Sequence, residues 1–170
     1  MSIPLNILLW GFVIAFCIHI VEESTVGGGF IAEMQRNYWP EYTATRFFWF
    51  NTGIMLLFGG GIILYELLGG TWVIVVMSWV FMFATNGLWH LIQTAVVRRY
   101  APGLITSPIY WVLLYFILRY SWLPGQIATD HLFISAIIGT LLTLAMFSSV
   151  WYFRLMSLKR GTWGPKSSTS

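Results

Sequence analysis

Two short clusters of ionisable and amide side chains interrupt an otherwise apolar chain: His19-Ile20-Val21-Glu22-Glu23 and Asn86-Gly87-Leu88-Trp89-His90. On a helix, His19, Glu22 and Glu23 occupy positions i, i+3 and i+4. One imidazole and two carboxyls then share a face within about one turn, roughly 6 Å along the axis. Asn86 and His90 are likewise four apart, with Gln93 a turn further on. Two imidazoles and two carboxylates can hold zinc or iron with an open position for an activated water. Without a metal, adjacent carboxyls near a low-dielectric boundary resist double ionisation, which leaves one as acid and one as base. Asn86 and His90 could then polarise a carbonyl or hold an oxyanion. The candidate catalytic residues are therefore Glu22, Glu23, His90 and Asn86. The candidate ligands for zinc or iron are His19, Glu22, Glu23 and His90. Asn51 and Glu33 are weaker candidates, for which packing or an interfacial position is the simpler reading.

These groups matter because of what surrounds them. Of the 170 residues, 58% are hydrophobic and only 9% charged, against about a quarter charged in an ordinary soluble domain. There is too little polar surface to cover a soluble globule, and ionisable groups inside apolar segments are costly enough to mark functional sites. Ten Trp and eight Tyr fit two interfacial belts. The net charge of +3 is spread over segment ends, which excludes the concentrated basic face of a nucleic-acid binder. The single Cys17 excludes an internal disulfide. It lies roughly 200° around a helix from His19, so it reads as a small buried residue rather than a ligand.

The elements that must position the clusters follow from hydropathy and breakers. The pattern predicts an all-α membrane protein, a five-span transmembrane bundle with a short interfacial segment between spans one and two. Span one covers 3–21, continues as helix through Glu23 and stops at Gly27-Gly28-Gly29. Residues 30–46 mix Glu33, Arg36, Glu41 and Arg46 with Tyr38, Trp39 and Tyr42, as an interfacial segment would, and Pro40 breaks any helix there. This segment could cover the site as a lid or simply anchor at headgroup depth. Span two covers 47–68, with Gly59-Gly60-Gly61 open to close helix packing. Span three runs from about 71 to 97 and is closed by Arg98-Arg99. Span four, about 108–123, carries Arg119, which can snorkel, and ends at Pro124-Gly125. Span five, about 131–153, offers Ser135, Gly139 and Thr143 as a small-residue packing face. One domain, 1–156, precedes a basic, Ser-rich tail, 157–170, expected to be disordered.

Charge then sets orientation. With five spans, Arg36, Arg46, Arg98, Arg99, Arg154, Lys159, Arg160 and Lys166 fall on one side and only Arg119 on the other. The first side is cytoplasmic, so the N-terminus is outside and the C-terminus inside. Both clusters then lie in the cytoplasmic half, His90 roughly 10 Å and Asn86 roughly 16 Å from the end of their span.

The chain resembles the HXXEE family of small bacterial and archaeal membrane proteins. His19-Ile20-Val21-Glu22-Glu23 matches the motif that gives the family its name. Its second signature, Asn-x-x-x-His followed after nine residues by Tyr-x-Pro-Gly, is matched by Asn86 to His90 and Tyr100-Ala101-Pro102-Gly103. The two motifs frame residues 19–103. The resemblance implies a multi-pass protein of the bacterial or archaeal inner membrane and carries no established reaction. The site inventory is also similar to that of CAAX-type prenyl-protein endopeptidases, although Gly27 stands where those have Arg, and the order and spacing of Asn and His differ. Membrane isomerases and cyclases acting on sterol- or terpene-like substrates are an equal comparison.

The expectation is an enzyme with a cytoplasmic-side polar site acting on a lipophilic or amphipathic small molecule that enters from the lipid. Its partners are membrane lipids and that substrate, with no nucleic acid, and the pattern sets no oligomeric state. A transporter or receptor using Glu and His as a proton or cation site is the alternative. An enzyme requires a closed apolar pocket above the five residues, and a transporter requires a polar path continuing to the outer face.

Overall fold

A computed structural model describes residues 3–159 of the chain, and among them the architecture is all-helical, without strands. Six α-helices follow in order: α1 (Leu5–Thr25), α2 (Phe30–Asn37), α3 (Ala44–Leu68), α4 (Trp72–Val97), α5 (Ser107–Ile117) and α6 (Thr129–Lys159). A π-helical turn, Leu118–Trp122, continues α5. Four of these helices, α1, α3, α4 and α6, are long and apolar enough to cross a bilayer. The α5 segment with its π turn is shorter than that criterion, so the structure by itself gives four candidate spans where the sequence predicts five.

Local chemistry sets the boundaries. Gly27, Gly28 and Gly29 all take positive φ and end α1 after Thr25. The α2 helix stops at Asn37, ahead of Pro40. Thr43 caps α3, its side chain accepting from the Arg46 N–H at 3.3 Å. Gly69 and Gly70, again at positive φ, turn the chain into α4. The fifth predicted span extends six residues further at its C-terminal end, because α6 runs unbroken to Lys159 with Ser157 buried. The expected disordered tail, 157–170, therefore begins inside a helix, and its remainder lies outside the described residues.

Helix α6 lies parallel to α4. Ser135 Oγ donates to Ile74 O at 3.2 Å and Thr143 Oγ1 to Met82 O at 3.4 Å, two contacts in the same register. Between them Gly139 meets the α4 backbone so closely that a Cβ would stand 2.5 Å from Ser78 O. The small-residue face expected at Ser135, Gly139 and Thr143 is thus the seam between α4 and α6. Because α4 and α6 run the same way, the chain between them, residues 98–128 with α5 and its π turn, must lead back before α6 begins.

The core fills the half of the bundle away from the two polar clusters. Leu9, Phe12, Phe58, Ile62, Met77 and Val80 are fully buried there. Large aliphatic side chains such as Ile14, Val21, Leu56, Leu67 and Leu141 point outward on α1, α3 and α6, an exterior compatible with lipid.

A buried His/Glu/His cluster as candidate metal centre

The inward face of α1 carries Phe12, Phe16, His19 and Glu23. This is the i, i+3/i+4 progression that places His19 and Glu23 one turn apart on one stripe. His90 projects from α4 against them, its ring centroid 5.1 Å from that of His19. All three side chains are buried. One carboxylate oxygen, Glu23 Oε1, lies 3.5 Å from Nε2 of His19 and 3.5 Å from Nε2 of His90. That is long for a hydrogen bond. It is close to the about 3.4 Å that separates two ligands on a tetrahedral zinc with bonds near 2.0–2.1 Å. One ligand atom from each residue falls within a set no wider than 4.8 Å. His19 Nε2 and His90 Nδ1 are buried without hydrogen-bond partners. Buried polar atoms normally find partners, so His19 Nε2, which faces Glu23, is free to serve a ligand, whereas the His90 nitrogen that faces Glu23, Nε2, has the Asn86 amide 3.2 Å away. The donor set, two imidazoles and one carboxylate, fits zinc or non-haem iron with open positions.

Glu22 is next in sequence and does something else. It is about 100° from Glu23 around the helix and turns to the 100–107 loop between α4 and α5. Its Oε1 accepts from the Tyr100 hydroxyl, from Gly103 N–H at 3.1 Å and from Ile105 N–H at 2.9 Å. Its Oε2 accepts from Thr106 N–H at 2.8 Å and from the Thr106 hydroxyl at 2.5 Å. Thr106 Oγ1 also lies 2.7 Å from His19 Nδ1. The adjacent carboxyls are therefore split. Glu23 faces the histidines, and Glu22 stands outside the His/Glu/His group as the anchor of the loop above it.

Gly103 closes the cluster. Its φ is +97°, and a Cβ on it would stand 2.6 Å from His19 Cε1 and 2.9 Å from His90 Cε1. The Tyr-x-Pro-Gly run thus has a physical reading. Tyr100 grips Glu22, and Gly103 lets the backbone lie across both imidazoles. Burial, reinforced by the hydrogen bond to Glu22, pushes the Tyr100 phenol well above its ordinary range, so it remains a donor. The Tyr100 ring in turn packs on Gly27, where a Cβ would collide with it. With a φ of +67° as well, position 27 leaves no room for a side chain.

Away from Gly103 the cluster opens into a cavity of about 620 Å³. His19, Glu23, His90, Asn86, Asn51, Glu33, Gln93, Arg46 and Ser149 contribute its polar lining, and aromatic side chains from α1, α2, α3, α4 and α6 supply most of the rest. The volume lies within the usual range for small-molecule pockets. The Asn86 amide is 3.2 Å from His90 Nε2. Asn51 donates to Phe47 O at 2.9 Å. Gln93 donates to Glu33 across the α2–α4 gap. Burial raises the Glu33 carboxyl, opposed by nearby Arg36. Burial, with the Glu23 charge, likewise raises the Tyr42 phenol to about 12.

Three other side chains lie away from the cluster. Cys17 is exposed rather than buried, its Sγ 3.8 Å from Met55 Sδ. The rotation that takes it off the site also takes it off the inward face. Glu66 is exposed and accepts from Trp10 Nε1 at 3.1 Å. Arg119 lies over the Tyr120 ring at 5.7 Å, in the turn that ends α5. The sequence reading passed over Thr106, for which a threonine ahead of Ser107-Pro108 signals only a helix start.

A helical protein with four helices of membrane-spanning length, carrying a buried His/Glu/His cluster under a glycine-closed loop, is the class that fold and site define. The chain belongs to the HXXEE family: the family model described as a protein of unknown function with HXXEE motif matches residues 10–118. No curated protein and no solved structure matches it.

Proposed function

We propose that this protein is a membrane-embedded enzyme in which His19, Glu23 and His90 hold one divalent metal ion, zinc or iron, and act on a lipophilic substrate lying in the aromatic cavity. The observation that carries the reading is the equal approach of both imidazole Nε2 atoms to Glu23 Oε1 at the wall of that cavity. The ion would supply Lewis-acid activation of a bound water or substrate oxygen. Asn86, beside His90, would orient the substrate. Glu33, across the cavity with its carboxyl raised by burial, is placed to carry a proton.

The cavity favours an enzyme over a transporter. Its floor is Phe16, Phe83 and Ile54, and beyond it Phe12, Phe58 and Val80 fill the bundle. No polar file leads through these residues to the far side.

The same reading takes α5 and its π turn as a fifth crossing. The parallel register of α4 and α6 supports it. Arg36, Arg46, Arg98, Arg99, Arg154 and Lys159 then share the site's side, which is cytoplasmic by the positive-inside rule.

Elemental analysis of the purified protein tests the proposal. Stoichiometric zinc or iron in the wild type, lost in Glu23→Gln and His90→Ala, is expected. Metal absent from the wild type after growth and purification with both ions supplied overturns the metal centre.

A further inference from the structure

We infer that Thr106 is a positioning residue which, held by ionised Glu22, fixes His19 as its Nδ1–H tautomer and turns the Nε2 lone pair toward Glu23 and His90. Glu22 receives three backbone N–H groups, which can only donate, together with the Tyr100 and Thr106 hydroxyls. A protonated carboxyl would set a sixth hydrogen among five donors, so the acceptor is a carboxylate. The Thr106 hydroxyl has one hydrogen. At 2.5 Å from Glu22 Oε2 it is engaged in a charge-assisted O–H···O⁻ bond. Its oxygen can then only accept from His19 Nδ1, 2.7 Å away. Nδ1 must carry a ring hydrogen, and in the neutral imidazole, the form that binds a metal, the lone pair is then on Nε2.

Nε2 is the atom 3.5 Å from Glu23 and without a hydrogen-bond partner. The opposite tautomer would leave an N–H pointing at the place a metal would occupy, and a Thr106 oxygen facing a bare Nδ1. Carboxylate–histidine–metal arrangements fix the ring in this way through direct contact. Here the carboxylate acts through a hydroxyl, and the two adjacent glutamates divide the labour: Glu23 to bind, Glu22 to orient. The effect on metal affinity rests on the reading given under Proposed function, whereas the tautomer does not depend on it.

The test uses the full chain in nanodiscs, labelled with ¹⁵N-histidine and stripped with chelator. The His19 resonances are assigned by their loss in His19→Gln among the three histidines. The wild type is expected to show a protonated Nδ1 and an unprotonated Nε2. Thr106→Val should shift the ring toward the Nε2–H form and weaken zinc binding about 10–100-fold. Thr106→Ser, which keeps the hydroxyl, should restore both. An Nε2–H tautomer in the wild type, or a tautomer unmoved by Thr106→Val, overturns the inference. Should Thr106→Val fail to fold, the wild-type spectrum decides alone. If the tautomer is as inferred and zinc does not bind, the metal centre falls and the role of Thr106 stands. If zinc binds and the tautomer is the other one, the reverse holds.

Discussion

Gly103 lies against His19 with no room for a side chain between them: a Cβ at position 103 would stand 2.6 Å from the imidazole Cε1. The same atom would press on His90, and the backbone there has a φ of +97°. A loop carrying no ionisable group at that point therefore fixes the spacing of two histidines from different helices.

Gly103→Ala combines a strained backbone, costing about 1–3 kcal/mol, with a clash against two imidazoles that are themselves packed. We expect a lower Tm in detergent, and metal occupancy falling more than the amount of folded protein. Normal occupancy at normal Tm would show that the loop does not set the spacing.

The two glutamates should respond oppositely to amidation. Glu22→Gln places an NH₂ among donors and leaves buried N–H groups unpaired, at about 1–3 kcal/mol for each. It should lower stability strongly. Glu23→Gln alters a side chain whose contacts are the two imidazoles, so its loss should appear in metal content, with Tm lowered only by the stabilisation that bound metal gives and matching the wild type once both are stripped with chelator. Thermal unfolding and elemental analysis on the same samples separate the two effects.

Glu33 gives a pH dependence of known sign. Burial raises its carboxyl in the folded state, so the folded protein binds that proton more tightly than the unfolded chain. Its contribution to stability is fully present below the ordinary carboxylate value and declines as pH rises through the raised one. Glu33→Gln should remove this decline. A Tm-against-pH profile from acid to neutral should be flatter in the variant, and an unchanged slope would contradict the assignment.

A five-crossing arrangement puts residues 99 and 126 on opposite sides of the membrane. In a Cys17→Ser background, Arg99→Cys should react with an impermeant maleimide only after the cytoplasmic face is opened, and Gln126→Cys should react in intact cells. Labelling of both from one side would leave α5 as a re-entrant segment.

Much of the fold was legible in the chain. The predicted segments coincide with the helices to within a few residues, because runs of about twenty apolar residues punctuated by glycine pairs and prolines admit few other structures in a bilayer. Segment four was recognised as short, and it is the one helix among the five that falls below spanning length. Cys17, expected to be buried, is exposed, since an apolar segment gives a weak signal of which side faces lipid.

His19, Glu22, Glu23, Asn86 and His90 could be singled out from sequence alone, because polar groups in hydrocarbon are expensive and stand out by type and spacing. What the sequence could not decide was rotation and partnership. It grouped Glu22 with the metal ligands, and only the packed structure separates it from Glu23, since about 100° of helix rotation sends one carboxyl to a loop and the other to the histidines. Nor could it show that Thr106, 84 positions beyond Glu22, completes the path from that carboxylate to His19. Hydropathy reads one residue against its solvent; a hydrogen-bonded relay exists only when two segments distant in the chain, α1 and the loop before α5, are brought within 3 Å.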